Sequence, residues 1–429
     1  MHTVAPTPGS ARPHYGWVVV AVTFLTMLVT AGAVGAPGVL IAPFAREFGW
    51  SNAEISSALA VRLVLFGLLG PFAAAFMNRF GVRRVAAVAL TLIAAGIAGS
   101  LAMTEIWHLL LLWGFVVGIG TGLTAMVLGA TVATRWFVAR RGLVLGLLSA
   151  STATGQLVFL PLLATLTERY GWRAALALIL AMLAVAVLAV LTLMRDRPSD
   201  LGLRPYGATA AAPPPPAPQS LGAMLASPLL ALREASTSVT FWVLFGTFFV
   251  CGASTNGLVQ THFVSLCGDY GIGSVAAAGM LAVIGVFDLV GTIGSGWLSD
   301  RYDGRWLLFW YYGLRGLSLL FLPFSDFTFY GLSLFAVFYG LDWVATVPPT
   351  VKLTADRFGE RANLVFGWVF AGHQLGAACA AYGAGFSRTV YASYLPAFFI
   401  AGGLCLIAAA ALVLIRDRRP AAVVAGAAA

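Results

Sequence analysis

Four ionisable residues lie well inside apolar stretches of this 429-residue chain: Arg62, Asp288, Arg315 and Asp342. A charge in hydrocarbon costs at least about 2.5–3.5 kcal/mol, so each needs a partner or a task. Guanidinium and carboxylate groups there can pair with one another, bind a solute of opposite charge, or take up and release a proton. The C-terminal half holds the two acids, Asp288 and Asp342, against one cation, Arg315. One acid therefore lacks an obvious counter-ion, and loss of hydration favours its neutral form and makes it protonatable. Arg315 is expected to form a structural ion pair with Asp288 or Asp342. Arg62, ~12 Å into its stretch at 1.5 Å per residue, either reaches the outer part of a central cavity, snorkels to the interface or pairs within the N-terminal half.

Uncharged polar residues extend the list of candidates. His262 and His373 titrate near neutral pH and could hold a carboxylate when charged, or they are packed, hydrogen-bonded imidazoles. Asn256 and Gln260 are one turn apart and share a helical face. Gln156 and Trp343, the latter beside Asp342, are candidates to line the same pocket. Asn256, His262, Asp342, Trp343, His373 and Gln156 together form the expected substrate-binding set, with Arg62 and Arg315 as charged intramembrane residues.

Other chemistries are excluded by what the motifs lack. The single lysine, Lys352, follows Pro348-Pro349-Thr350-Val351, so there is no phosphate cradle for ATP. Neither HExxH nor a GxSxG nucleophile elbow is present, and no enzyme activity is expected. The four cysteines (Cys251, Cys267, Cys379, Cys405) lie in or beside apolar spans, without CxxC or metal-ligand spacing, and read as small packing residues. No metal or cofactor is expected.

The elements that must position these residues are membrane helices. Apolar residues make up 60% of the chain and charged ones only 10%, whereas a soluble domain carries roughly 25% charged residues. Twelve stretches are long enough to cross a bilayer: 15–41, 54–77, 85–104, 107–134, 142–166, 173–194, 240–266, 274–299, 305–323, 328–353, 363–386 and 393–415. Glycines 114, 118 and 122 in the fourth form a small-residue seam for close helix packing. The break from 195 to 238, with Pro213-Pro214-Pro215-Pro216, reads as a linker between an N-terminal half (1–194) and a C-terminal half (239–429). With the N-terminus inside, 19 of the 25 Lys/Arg fall on the cytoplasmic side and four outside (Arg46, Arg169, Arg173, Arg388). This bias places both termini in the cytoplasm and explains the net charge of +9 without a nucleic-acid partner. The start of the chain is not read as a cleaved signal.

One short basic loop occurs twice, after the second and the eighth spans. The first copy is Ala74-x3-Asn78-Arg79-Phe80-Gly81-Val82-Arg83-Arg84 and the second Gly296-x3-Asp300-Arg301-Tyr302-Asp303-Gly304-Arg305. The GxxxDRxxGR-like pattern resembles the signature loop of the major facilitator superfamily, and with twelve spans and a central linker the resemblance covers the whole chain. These residues are expected to control a cytoplasmic gate, Asp300 by an ion pair across the gap and Asn78 more weakly. Within the superfamily, Tyr15-Gly16-Trp17, Trp136-Phe137-Val138-Ala139-Arg140-Arg141-Gly142-Leu143 with Gly146 and Gly155, and Tyr170-Gly171-Trp172-Arg173 are similar to motifs of the monocarboxylate transporters and oxalate–formate antiporters. Where that group often has an Asp followed four residues later by Arg, this chain has Asp288 and Thr292, and its first span has no lysine.

The resemblance implies an all-α membrane protein with twelve transmembrane helices in two pseudo-symmetric six-helix halves, the major facilitator fold. Helices 1, 4, 7 and 10 would line its cavity. The implied function is secondary transport of a small organic anion, a monocarboxylate, by alternating access with proton symport or anion exchange. Asp288, the retained acid, is the expected proton carrier. Expected partners are the small-molecule substrate, a proton or counter-anion and the lipid bilayer of a cell membrane (a bacterial inner membrane), with neither ATP nor nucleic acid. Efflux or uptake of another organic solute, drug-like or neutral, is the alternative; a non-transporting membrane solute sensor is the alternative of another class.

Overall fold

A computed structural model describes residues 14–124, 126–208 and 220–413. In hydrocarbon every backbone polar group must be satisfied within its own segment, and the chain does this with helices. Six long helices form the first half: α1 Gly16–Phe48, α2 Asn52–Phe80, α3 Val82–Ser100, α4 Ile106–Trp136, α5 Arg141–Tyr170 and α6 Trp172–Leu193. Six more form the second: α7 Val239–Asp269, α8 Ser274–Ser299, α9 Gly304–Phe324, α10 Phe329–Phe358, α11 Ala362–Tyr391 and α12 Leu395–Leu412. Eleven of these are long and apolar enough to cross a membrane among the described residues, and α5, 30 residues long, occupies the place of the expected fifth span.

Local chemistry sets the helix ends. Ser51 and Glu54 form a capping box at the start of α2, each side chain accepting the other's backbone N–H. The turn into α3 runs through Gly81 at φ +88°, where the Asp196 carboxylate occupies the space a side chain would need. The glycine seam of α4 is real: Gly114, Gly118 and Gly122 pack in successive turns against Ala58–Val61, Arg62–Leu65 and Leu65–Leu69 of α2. The break between the halves is not all extended chain, because Leu221–Ala235 forms a linker helix. It docks on α11, with the Trp368 indole N–H donating to the Pro228 carbonyl at 2.7 Å and Arg361 paired with Glu234. The proline run 213–216 lies outside the described residues.

The helices expected to line a cavity all depart from regular α geometry. Helix α1 breaks at Ala36-Pro37, α4 contains a π-helical stretch over Leu110–Val117, and α7 contains one over Ala253–Val259. Helix α10 is interrupted between Asp342 and Val347. Its cause is Pro348-Pro349: neither proline has an N–H to donate to the carbonyl four residues back, at Val344 and Ala345. Those carbonyls take other donors, Val347 N–H at 2.9 Å and the Ser295 hydroxyl at 2.5 Å. The expected continuous span 328–353 is thus two shorter helices with a clasped turn between them.

The halves meet through α2 against α11, α5 against α8 and α1 against α7. At the end opposite the duplicated loops, Ala53 N–H donates to Thr389 Oγ1 at 3.1 Å and Ser274 donates to Glu168 at 2.5 Å. There Gly38 of α1 approaches the Gln260 carbonyl of α7 too closely for any side chain. Ring contacts Phe66–Phe370 and Phe72–Trp368 continue the α2–α11 seam towards the loop end. The end away from the basic loops is closed.

Candidate functional site

Arg315 and Asp342 answer the first question the sequence raises. Arg315 is fully buried on α9, and its Nε donates to Asp342 Oδ2 at 2.6 Å. The same guanidinium donates to the carbonyls of Asp342 and of Trp343 (3.1 Å), to Cys251 Sγ (2.9 Å) and, at 3.5 Å, to Ser254 Oγ. Tyr339 closes the cluster by donating to the Ser254 carbonyl at 2.5 Å. Most of these donors are therefore spent on protein groups around the α10 break and the π-helical stretch of α7. Asp342, expected at the substrate, is in this conformation paired with Arg315 through Oδ2, and its Oδ1 has no hydrogen-bond partner among the described residues. Trp343, also expected at the substrate, is buried with its ring edge-on to Tyr339 at 5.5 Å and its carbonyl held by Arg315.

Asp288 is the acid left without a cation. It is 8% exposed in the middle of α8, and its Oδ1 accepts from Thr292 Oγ1 and from the Val344 N–H, both at 2.9 Å. Arg315 is engaged with Asp342, and no ion pair reaches Asp288 among the described residues. Its carboxylate thus holds a backbone N–H freed by the α10 break, and Thr292 supplies a hydroxyl where an arginine would supply charge.

Arg62 presents the opposite imbalance in the first half. It is 3% exposed on α2, and one guanidinium nitrogen donates to the Val34 carbonyl at the α1 break, at 3.0 Å. No carboxylate pairs with it among the described residues. Gln260 of α7 reaches the same break, with its amide nitrogen 3.8 Å from where a side chain on Gly35 would begin. Thr30, one turn before Val34, has a buried hydroxyl with no hydrogen-bond partner among the described residues. Asn256 is half-buried one turn before Gln260, and its carbonyl accepts from Thr261 Oγ1 at 2.7 Å.

The sequence left two alternatives open for each histidine. His262 is fully buried, its Nε2 hydrogen-bonded to the Ala381 carbonyl at 2.8 Å and its ring 5.2 Å from that of Tyr394. It packs α7 against α11 and α12. His373 stacks on Phe370 at 5.7 Å and lies 5.1 Å from Phe248, in the seam between α11 and α7. Both fit the packed-imidazole alternative. The Gln156 side chain lies outside the described residues.

The duplicated loops are tied within their own halves. Asn78 Oδ1 accepts from Arg135 at the end of α4 at 2.6 Å, and Asp196 beyond α6 accepts the Arg83 N–H at 2.8 Å. In the second copy Asp303 caps α9, accepting the Arg305 N–H at 2.9 Å and pairing with its guanidinium at 2.6 Å. That hydrogen bond holds the Asp303 carboxyl below its ordinary pKa. Arg301 lies over the Trp297 ring at 4.0 Å, and Gly304 packs on Pro349 and Leu353. Arg79 lies over the Phe80 ring, and Arg84 is exposed at the start of α3. Asp300 is exposed and its side chain makes no hydrogen bond or ion pair among the described residues, so its expected pairing across the gap is absent in this conformation. Arg135 and Asp196 were missed in the sequence because each is far along the chain from the loop it anchors.

The family model described as Major Facilitator Superfamily matches residues 23–350 and 289–429. The chain belongs to this superfamily. As a member it is a multi-pass membrane transporter and not an enzyme. Monocarboxylate transporter 13 of Rattus norvegicus is 27% identical over 96% of this chain and 91% of that one. Monocarboxylate transporter 9 of Mus musculus is 34% identical, over 42% of this chain and 35% of its own. An uncharacterised transporter of the same superfamily from Bacillus subtilis, YcxA, is 22% identical over 89% of this chain and 91% of that one. Among solved structures, a D-xylose-proton symporter superposes with a TM-score of 0.72 over 93% of this chain and 97% of its own, at 15% identity. That likeness shows the major facilitator fold, with its two six-helix halves.

Proposed function

We propose that this transporter moves a small organic anion, of the monocarboxylate class, by alternating access in step with a proton carried by Asp288. The observation that carries the reading is a buried carboxylate without a counter-cation, clasping the broken helix α10. Ionised, Asp288 accepts from both Thr292 and the Val344 N–H. Protonated, it becomes partly a donor and its hold on the α10 turn weakens, so proton occupancy and the packing of α8 on α10 change together. A neutral Asp288 also spares an anionic solute the repulsion of a second buried negative charge. The family and the monocarboxylate transporters among the relatives support the substrate class. The basic bias of the loops supports cytoplasmic termini, with the closed end facing outward and the halves 1–194 and 239–429 moving about the site.

Asp288→Asn keeps the shape of the protonated acid and removes the titration. Reconstituted in liposomes, this variant is expected to lose accumulation driven by a pH gradient while keeping solute exchange. Full pH-driven accumulation would contradict the proposal, and loss of folded protein would assign Asp288 a structural role.

A further inference from the structure

We propose that Arg62, together with the Gln260 amide at the break in α1, is the carboxylate-binding subsite of this transporter. The inference rests on the organic-anion reading above and adds the group that recognises the anion. A guanidinium has five N–H donors. Arg62 places one nitrogen on the Val34 carbonyl, and no carboxylate among the described residues pairs with it. Capping one carbonyl needs only a neutral donor such as an amide, so the charge itself is surplus to that task. An unpaired buried cation is costly, and the cost is relieved when an anion arrives.

The surroundings suit a carboxylate. The α1 break brings Gln260 from the opposite half to the same turn, its amide nitrogen 3.8 Å from where a side chain on Gly35 would begin, one residue from the Val34 carbonyl that Arg62 holds. The Thr30 hydroxyl, partnerless among the described residues, lies one turn away on the face that carries Val34. A planar fork of donors matches both oxygens of a carboxylate, which a lysine ammonium would not do. Because Arg62 belongs to one half and Gln260 to the other, a carboxylate held by both joins the halves across the α1–α7 contact.

The test uses the full chain in detergent with a series of short-chain monocarboxylates, formate to hexanoate, each against its neutral amide. Thermal unfolding is read for wild type, Arg62→Met and Gln260→Ala. The wild type is expected to gain melting temperature with at least one carboxylate and not with its amide. Arg62→Met without ligand is expected to melt at or above the wild-type temperature, since a desolvated cation has gone, and to lose the carboxylate shift. Gln260→Ala is expected to keep a reduced shift. A carboxylate shift retained in full by Arg62→Met overturns the subsite and leaves the organic-anion reading standing. A large fall in the ligand-free melting temperature of Arg62→Met, not restored by Arg62→Gln as a neutral cap, also keeps that reading but makes Arg62 a structural charge. Failure of every carboxylate to shift the wild type overturns both.

Discussion

Arg315 and Arg62 are guanidinium groups buried in the same bundle, and they differ in their partners, a carboxylate for Arg315 and a carbonyl for Arg62. Arg315 meets Asp342 and four further acceptors, so removing it leaves a buried carboxylate and two freed carbonyls. Arg315→Met is expected to cost about 3–5 kcal/mol of stability, the range for breaking a buried pair from one side. Adding Asp342→Leu should recover most of that loss, because a well-packed neutral pair replaces a desolvated ionic one. Thermal unfolding of the single and double variants checks this, and equal destabilisation by both would show that Asp342 is not the partner that matters. That Arg315 pairs with one of two acids was legible from the count of buried charges. Which acid was not legible, since Asp288 and Asp342 differ only in three-dimensional position. For His262 the sequence left a solute-binding and a packed imidazole both open, since spacing along α7 does not tell which face meets α11 and which meets α1.

Irregular helices carry the proposed site, and their irregularity was only partly readable. Pro37 and Pro348-Pro349 are visible in the sequence, yet their consequence depends on which neighbours rescue the freed backbone groups. Asp288 and Ser295 of α8 and Arg315 of α9 do so for α10, while Arg62 of α2 contributes at α1. Pro348→Ala restores a donor to the Val344 carbonyl, and because proline is tolerated in the first turn of the helix Val347–Phe358, its removal changes stability little. The variant is expected to melt no lower than wild type while its transport rate falls, because the turn that Asp288 clasps is straightened. Unchanged transport would show that the α10 break is incidental. The short motifs were more informative than their length suggests. Trp17 meets Phe137 at 5.1 Å, and Tyr15 lies 6.2 Å from Trp136, so two fragments far apart in sequence form one aromatic joint between α1 and α4.

The whole molecule is closed at the end away from the duplicated loops, and the transport cycle requires that end to open. Glu168 at the end of α5 and Ser274 at the start of α8 touch across the halves there. Cysteines at both positions, in a Cys379→Ser background, are expected to cross-link under mild oxidation and stop transport, with recovery on reduction. Cross-linked protein that transports at the wild-type rate would mean that this contact does not separate during turnover. The twelve-helix architecture was legible from apolar lengths and the repeated loop, because hydrocarbon thickness dictates both. The conformational state was not, since the same sequence must support more than one.

The proposed proton movement with the solute rests on an acid without a counter-ion at the centre of the bundle. The decisive measurement is substrate-triggered proton flux into liposomes that contain a trapped pH-sensitive dye. The solute added is the monocarboxylate that most stabilises the protein. Wild type is expected to acidify the lumen as solute enters, and Asp288→Asn to exchange solute with no such signal. Proton flux in Asp288→Asn equal to wild type, or wild-type solute entry without protons, would contradict the account.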